Sequence, residues 1–339
     1  MSHRYILPIV VSGIILTTYL SLLSGCGDKK NPVWPEQPIM DCPYNPFDYF
    51  SARLLANPVV SPGDGYIYYE DNGLDSAYYD AWVENLAVAP WLSDGFEPGI
   101  YRINPNDNSA AELVIGRAAA PEITPDGSEL YFGHNDGNVN GIWRIRLPDG
   151  KPELIKEGSF ANIQWFAKDT LIVHRAYDLN AGIFLFDINA DSLYPLPGIG
   201  PGFDVSKERK ICYVGYDSDS LIWSIGVYDF DADSTWNIYV NNMNMGQPLR
   251  WSPDGKSIVF VGSRGENIDI YTVTINGELK IFPGRIATEP SYTPDGKDIV
   301  FIRWPYSNCI QYQATQIWIM AAGNGSRMRR ITTWSRIRP

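Results

Sequence analysis

The chain has 339 residues, 39 acidic side chains against 27 basic ones, and a net charge of −12. That balance speaks against nucleic-acid binding, which needs a basic footprint, while 45% hydrophobic and 13% aromatic residues speak against disorder. The 4 cysteines and 3 histidines are too few for a disulfide scaffold or a histidine-rich metal centre, so no cofactor is expected, and the 30 glycines, 25 prolines and the aromatic set of 11 Trp, 21 Tyr and 13 Phe favour many short strands joined by turns.

In chain order, the first element is a leader over residues 1–25. Arg4 precedes an apolar run from Tyr5 to Leu23, and small residues follow, the layout of a secretory signal. The run is also long enough to be read as a transmembrane anchor. Leu23-Ser24-Gly25-Cys26 resembles the lipobox of bacterial lipoproteins, which implies that Cys26 is lipidated and becomes the first residue of the mature chain. In that family an aspartate directly after the cysteine favours the inner membrane. Here Gly27 intervenes before Asp28, which implies an outer-membrane lipoprotein facing the periplasm. Residues 26–56 carry Pro32, Pro35, Pro38, Pro43 and Pro46 and read as an extended tether.

Repeats organise residues 57–334. Ser252-Pro253-Asp254-Gly255-Lys256 recurs 41 residues on as Thr293-Pro294-Asp295-Gly296-Lys297. Thr124-Pro125-Asp126-Gly127-Ser128 is a further copy, and Ser61-Pro62-Gly63-Asp64-Gly65 is a scrambled one. Degenerate copies fall at Phe166-Ala167-Lys168-Asp169 and Ser206-Lys207-Glu208-Arg209-Lys210. Each copy contains a run that ends in the turn, an alternating strand after it, a third strand, a second turn and a fourth strand. Pro presets φ, Asp bonds its own backbone and Gly accepts positive φ at the reversal. Four strands per period of roughly 40–45 residues is the blade signature of a propeller. The expectation is an all-β chain with six blades of four antiparallel strands, at about 57–116, 117–158, 159–199, 200–245, 246–285 and 286–334, with a basic tail at 335–339.

This grammar resembles the TolB-type propeller repeat, related to WD-type repeats. Arg329-Arg330-Ile331-Thr332 matches the basic-aliphatic-threonine ending of that repeat. The resemblance implies the propeller fold and a bias towards binding other envelope proteins. TolB carries an α/β domain before its propeller, whereas only the proline-rich segment precedes the blades here, so full TolB function is not expected.

Aligning the turns puts one inner-strand residue of each blade at one height: Val59, Glu122, Gln164, Asp204, Arg250 and Ser291. The following positions, Val60, Ile123, Trp165, Val205, Trp251 and Tyr292, are apolar or aromatic. Period-two alternation therefore predicts a polar channel with an apolar layer behind it. Glu122, Gln164, Asp204, Arg250 and Ser291 are candidates for holding a small ligand or inserted peptide. A water-filled channel with a structural Arg–carboxylate contact is the other reading.

Blade one carries an insertion at about 71–98. Asp75-Ser76 caps a short helix there through about Leu86. Tyr78, Tyr79, Trp82, Trp91 and Phe96 are candidates for gripping a partner, or for folding back as a lid. Three acid-rich turns, Asn104–Asp107, Asp187–Asp191 and Asp229–Asp233, share the start of a calcium loop but lack its glycine and terminal glutamate. Asp and Asn turn chemistry explains them, and no metal is expected. No Ser–His–Asp or Cys–His arrangement stands out, so the chain is not expected to be an enzyme. Cys212 sits in an apolar strand and reads as a buried thiol. Cys42 and Cys309 are candidates for a disulfide in an oxidising envelope. Arg327, Arg329, Arg330, Arg336 and Arg338 form a basic end, either solvated or a patch facing lipid headgroups or the acidic insertion of a neighbour.

Together these readings describe a lipid-anchored envelope propeller that binds a protein or peptide. The alternative is a propeller enzyme or sensor with a small carbohydrate or peptide ligand in its channel.

Overall fold

A computed structural model describes residues 55–71, 97–135, 137–175, 181–217, 222–240, 243–264, 267–282, 287–303 and 315–332. They form 24 strands and, among the described residues, no helix. Blade one contains β1 (Leu55–Val60), β2 (Ile67–Asp71), β3 (Gly99–Ile103) and β4 (Glu112–Gly116). Blade two contains β5 (Ala118–Ile123), β6 (Glu129–Asn135), β7 (Asn140–Arg146) and β8 (Glu153–Glu157). Blade three contains β9 (Phe160–Ala167), β10 (Thr170–Arg175), β11 (Gly182–Asp187) and β12 (Ser192–Pro195). Blade four contains β13 (Phe203–Val205), β14 (Lys210–Asp217), β15 (Ile222–Asp229) and β16 (Ser234–Tyr239). Blade five contains β17 (Asn244–Trp251), β18 (Ser257–Arg264), β19 (Asn267–Thr274) and β20 (Leu279–Phe282). Blade six contains β21 (Ala287–Tyr292), β22 (Asp298–Arg303), β23 (Gln316–Ala321) and β24 (Arg329–Arg330).

Each blade is a four-stranded antiparallel meander in sequence order. The first strand of each blade neighbours the first strand of the next, and β21 returns to β1. The ring therefore closes, and β1, β5, β9, β13, β17 and β21 surround its axis. Among the described residues, no strand is exchanged between the first and last blades. Side chains and a few hydrogen bonds close the ring.

The repeated turn explains why each first hairpin forms. In blade two, Thr124 Oγ1 donates to Asp126 Oδ1 at 2.6 Å, Ser128 N–H donates to the same oxygen at 3.0 Å, and Glu129 N–H donates to Thr124 Oγ1 at 3.0 Å. Ser252 and Asp254, and Thr293 and Asp295, repeat these bonds in blades five and six. Gly127, Gly255 and Gly296 hold φ at 74°, 66° and 70°, where glycine carries no Cβ penalty. In the two degenerate copies Asp169 and Arg209 take up φ of 57° and 58° instead, at roughly 1–2 kcal/mol each.

The core divides into six apolar clusters, one at each junction between blades. Tyr68, Ile100, Leu130, Phe132 and Ile145 join blades one and two. Cys212, Ile225, Leu249, Trp251 and Phe260 join blades four and five. The last junction, between blades six and one, packs Leu55, Ile67 and Tyr69 against Val300, Ile302 and Ile317. At about 1.5–3 kcal/mol per fully buried large apolar side chain, these seams are where the ring gains its stability, because a lone blade leaves both faces wet.

Candidate functional site

Strand register places Val59, Glu122, Gln164, Asp204, Arg250 and Ser291 at equivalent points. Each faces the same position of its hairpin partner: Tyr68, Tyr131, Ile172, Cys212, Val259 and Val300. The residue after each one enters a junction. Val60, Ile123, Trp165, Val205, Trp251 and Tyr292 each belong to a different one of the six apolar clusters. Val59 also packs into the blade one–two cluster, so blade one gives no polar group at this height.

The polar members of the ring are not independent groups. Asp204 is 7% exposed, accepts Trp251 N–H at 2.6 Å and lies 3.5 Å from the Arg250 guanidinium. Glu122 accepts Trp165 N–H at 3.1 Å. Gln164, 3% exposed, donates to Asn162 Oδ1 at 3.2 Å, and Asn162 donates to Phe203 O at 3.3 Å. Each bond between blades runs from one blade to the first strand of the following one. Two more carboxylates complete the pattern. Glu70, 1% exposed, accepts Ala120 N–H and Asn57 Nδ2–H, both at 2.5 Å. Glu289 accepts Asn57 N–H. Among the described residues, five of the six junctions are bridged in this way.

Asn57, Glu70, Asn162 and Glu289 were not singled out by aligning the turns. A signal for two of them lies in the sequence. Asn57-Pro58, Ala120-Pro121, Gln247-Pro248 and Glu289-Pro290 precede the turns at nearly constant spacing. Each marks a bulge, where register slips between Ala56 and Val59, Ala119 and Glu122, Gly246 and Arg250, or Thr288 and Ser291. Proline gives the ladder no N–H. The residue before it in blades one, two and six adopts φ of 47°, 53° and 52°. In blades one and two its N–H bonds a carboxylate of the preceding blade instead of a ladder partner. The bulge thus re-aims the backbone.

Burial dominates the electrostatics. It pushes the Glu122 carboxyl up to about 8; the nearby Asp204 charge adds to the rise, while Arg250 and the Trp165 N–H oppose it. It pushes Glu289 up to about 7, with the Glu70 charge adding and the Asn57 N–H and Arg250 opposing. Asp204 is also raised by burial, against the pull of Arg250 and two backbone N–H groups. Among the described residues, Arg250 is the one cation that acts on all three of these acids.

The acid-rich turns behave as local caps. Asp187 Oδ1 accepts Ala190 N–H at 2.9 Å, and Asp229 Oδ1 accepts Asp231 N–H and Ala232 N–H at 3.1 and 3.0 Å. Among the described residues no group of three His, Cys, Asp or Glu side chains is arranged to hold a metal. Cys212 is a buried free thiol, raised well above its ordinary value by burial. Arg327 pairs with Asp298 at 3.2 Å, and Arg329 donates to Pro105 O of blade one at 2.8 Å. Cys26, Cys42, Tyr78, Tyr79, Trp82, Trp91, Phe96, Cys309, Arg336 and Arg338 lie outside the described residues, as does the helix over Asp75–Leu86.

These features define a six-bladed propeller of the TolB type in fold. TolB from Acinetobacter baumannii superposes with a TM-score of 0.57 at 17% identity, covering 84% of this chain and 64% of that one. A putative TolB from Agrobacterium tumefaciens gives 0.53 at 17% identity, covering 66% of this chain and 84% of that one. A chain of a nidogen/laminin complex gives 0.53 at 15% identity, covering 70% and 92%. In sequence, an uncharacterised protein of Agrobacterium fabrum is 38% identical over 85 residues, which span 24% of this chain and 27% of that relative. No family model matches the chain.

Proposed function

We propose that the chain is a lipid-anchored envelope propeller that binds a protein or peptide, with its channel and the blade-one insertion as the contact surfaces. The observation that carries the reading is the convergence of Glu122, Gln164, Asp204 and Arg250 on the inner strands. A mixed set of one guanidinium, two acids and an amide suits a peptide segment, which offers both donors and acceptors and charged ends. The fold it shares with TolB supports an envelope setting. A propeller-fold neighbour is found with a protein partner in the nidogen/laminin complex. Cys26, lidless of any aspartate at the next position, supplies the anchor and directs it to the outer membrane, and the aromatic residues Tyr78, Tyr79, Trp82, Trp91 and Phe96 grip the partner. Ser291 lines the same channel height.

Affinity capture from envelope extract tests the reading. Wild type is compared with a variant lacking residues 74–96 and with Arg250→Gln. Loss of a partner in either variant is expected. Return of the same partners with both would end the proposal. The anchor is tested separately by Cys26→Ser, which should move the protein from the membrane fraction to the soluble one.

A second reading has its own support in Gln164, a buried amide at the channel. It is a sensor or enzyme that holds a small carbohydrate or peptide. Calorimetric titration with free sugars and short peptides separates the two readings: saturable binding that Gln164→Leu abolishes favours the second.

A further inference from the structure

The inner strands hold more acid than the channel can neutralise. Glu122 on β5 faces Asp204 of β13 and Arg250 of β17, and β9 meets it with the Trp165 N–H. Its own hairpin partner β6 sets Tyr131 opposite it. Glu289 on β21 faces Glu70 of β2 and Arg250 of β17, and β1 meets it with the Asn57 N–H. Its hairpin partner β22 sets Ile302 and Val300 opposite Thr288 and Ser291 on either side of it. One guanidinium therefore serves both sites, and it already lies 3.5 Å from Asp204. Each of the two glutamates bridges a junction between blades. Glu289 does so at the seam that closes the ring, which also carries the Thr315 Oγ1 bond to Leu55 N–H at 2.6 Å and, at its outer rim, the Arg329 bond to Pro105 O.

We propose that Glu122 and Glu289 make ring closure pH-sensitive: protonated, they bridge their junctions as neutral groups, and ionised, they place half-buried negative charge there, shared between neighbouring acids and one guanidinium, and loosen the ring, above all at the seam between blades six and one. Closure of this kind needs no ligand in the channel.

Linkage fixes the sign. Both carboxyls titrate higher in the folded chain, at about 8 and about 7, than their ordinary 4.5. Between those values the unfolded chain has released protons that the folded chain still holds, so stability falls as pH rises. The penalty is absent below about pH 4.5 and complete above about pH 8.

Thermal unfolding of the full chain at fixed ionic strength, from pH 5.5 to 8.5, tests this. Wild type should melt lower at pH 8.5. Gln is isosteric with a protonated Glu, so the double variant Glu122→Gln/Glu289→Gln should melt with wild type at pH 5.5 and roughly 3–6 °C above it at pH 8.5. Parallel curves for wild type and double variant would overturn the proposal. Arg250→Gln is a second probe and should steepen the wild-type slope; an unchanged slope counts against the shared guanidinium. Hydrogen exchange locates the effect. At pH 8.5 the peptide spanning 55–60 should exchange several-fold faster in wild type than in Glu289→Gln, and at pH 5.5 equally. Equal rates at both pH values would remove the seam from the proposal.

Discussion

Truncating Asp204 should be the most costly single change at the inner strands. Asp204 is 7% exposed and sits at the blade four–five junction. Asp204→Ala leaves the Trp251 N–H, now bonded at 2.6 Å, without its acceptor. It also leaves the Arg250 guanidinium, whose side chain is 12% exposed, without its 3.5 Å partner. An orphaned buried donor costs about 1–3 kcal/mol, and a buried pair broken on one side costs about 3–5 kcal/mol. These overlap, so the expected loss is about 3–4 kcal/mol. Asp204→Asn keeps an acceptor for Trp251 but not the charge beside Arg250, so it should cost less than Asp204→Ala, about 1–3 kcal/mol. Chemical denaturation followed by tryptophan fluorescence measures both, since Trp251 reports the junction itself. A double-mutant cycle with Arg250→Met isolates the pair. The double variant should recover about 1–2 kcal/mol relative to additivity, because the stranded guanidinium is gone. A loss below 1 kcal/mol for Asp204→Ala, or strict additivity, would refute the view that this pair seals the junction.

Three further changes probe the same ring. Gly127 sits at φ 74°, where an added Cβ would come within 2.6 Å of the Gly63 Cα, so Gly127→Ala should cost more than Gly277→Ala, which has φ 86° and open space. The second should lose only the roughly 1 kcal/mol of left-handed strain, and equal losses would show that the turns of blades one and two do not press together. Arg209 stacks over Phe166 and Phe230 at 4.8 and 5.2 Å and pairs with Asp231 at 2.8 Å; Arg209→Ala should destabilise by about 1–2 kcal/mol, with Lys restoring part of it, as read from denaturation midpoints. The Cys212 thiol, buried and raised, should react with a thiol reagent only at the rate of unfolding, so rapid labelling of the native chain at this position would contradict its burial.

The blades were legible because turn chemistry is local. Ser/Thr-Pro-Asp-Gly closes on itself through bonds between residues two to five apart, so a reader of sequence sees the whole interaction. Alignment of those turns carries straight through the strand register to the six ring positions, since period-two alternation leaves no freedom between them. The polar reading of the ring was only half available. Glu122, Asp204 and Arg250 stand at the aligned height, but their partners are backbone N–H groups 43 and 47 residues away, and nothing local marks a backbone donor as free. Glu70 lies on a second strand and Glu289 in a bulge, outside the aligned height altogether. The x-Pro pair was the visible trace of that bulge, and its meaning is tertiary: the proline withholds a donor so that the residue before it can turn its own N–H across the junction.

That device bears on why this ring needs acids at its centre. A propeller whose last blade borrows a strand from the first closes with a ladder of backbone hydrogen bonds. Here blades one and six are each four-stranded meanders, so among the described residues closure rests on the Leu55–Ile317 apolar cluster and on a few bonds such as Thr315 to Leu55 and Asn57 to Glu289. A carboxylate that accepts a backbone N–H does for one residue what a ladder does for a strand, and it does so without adding an edge. The same substitution carries a liability a ladder lacks, because a carboxyl titrates and a carbonyl does not. With one guanidinium facing three of the acids, the strength of closure becomes a function of how many of them are charged. Stability and responsiveness are therefore set by the same side chains, and a change that improves one, such as Glu289→Gln, removes the other.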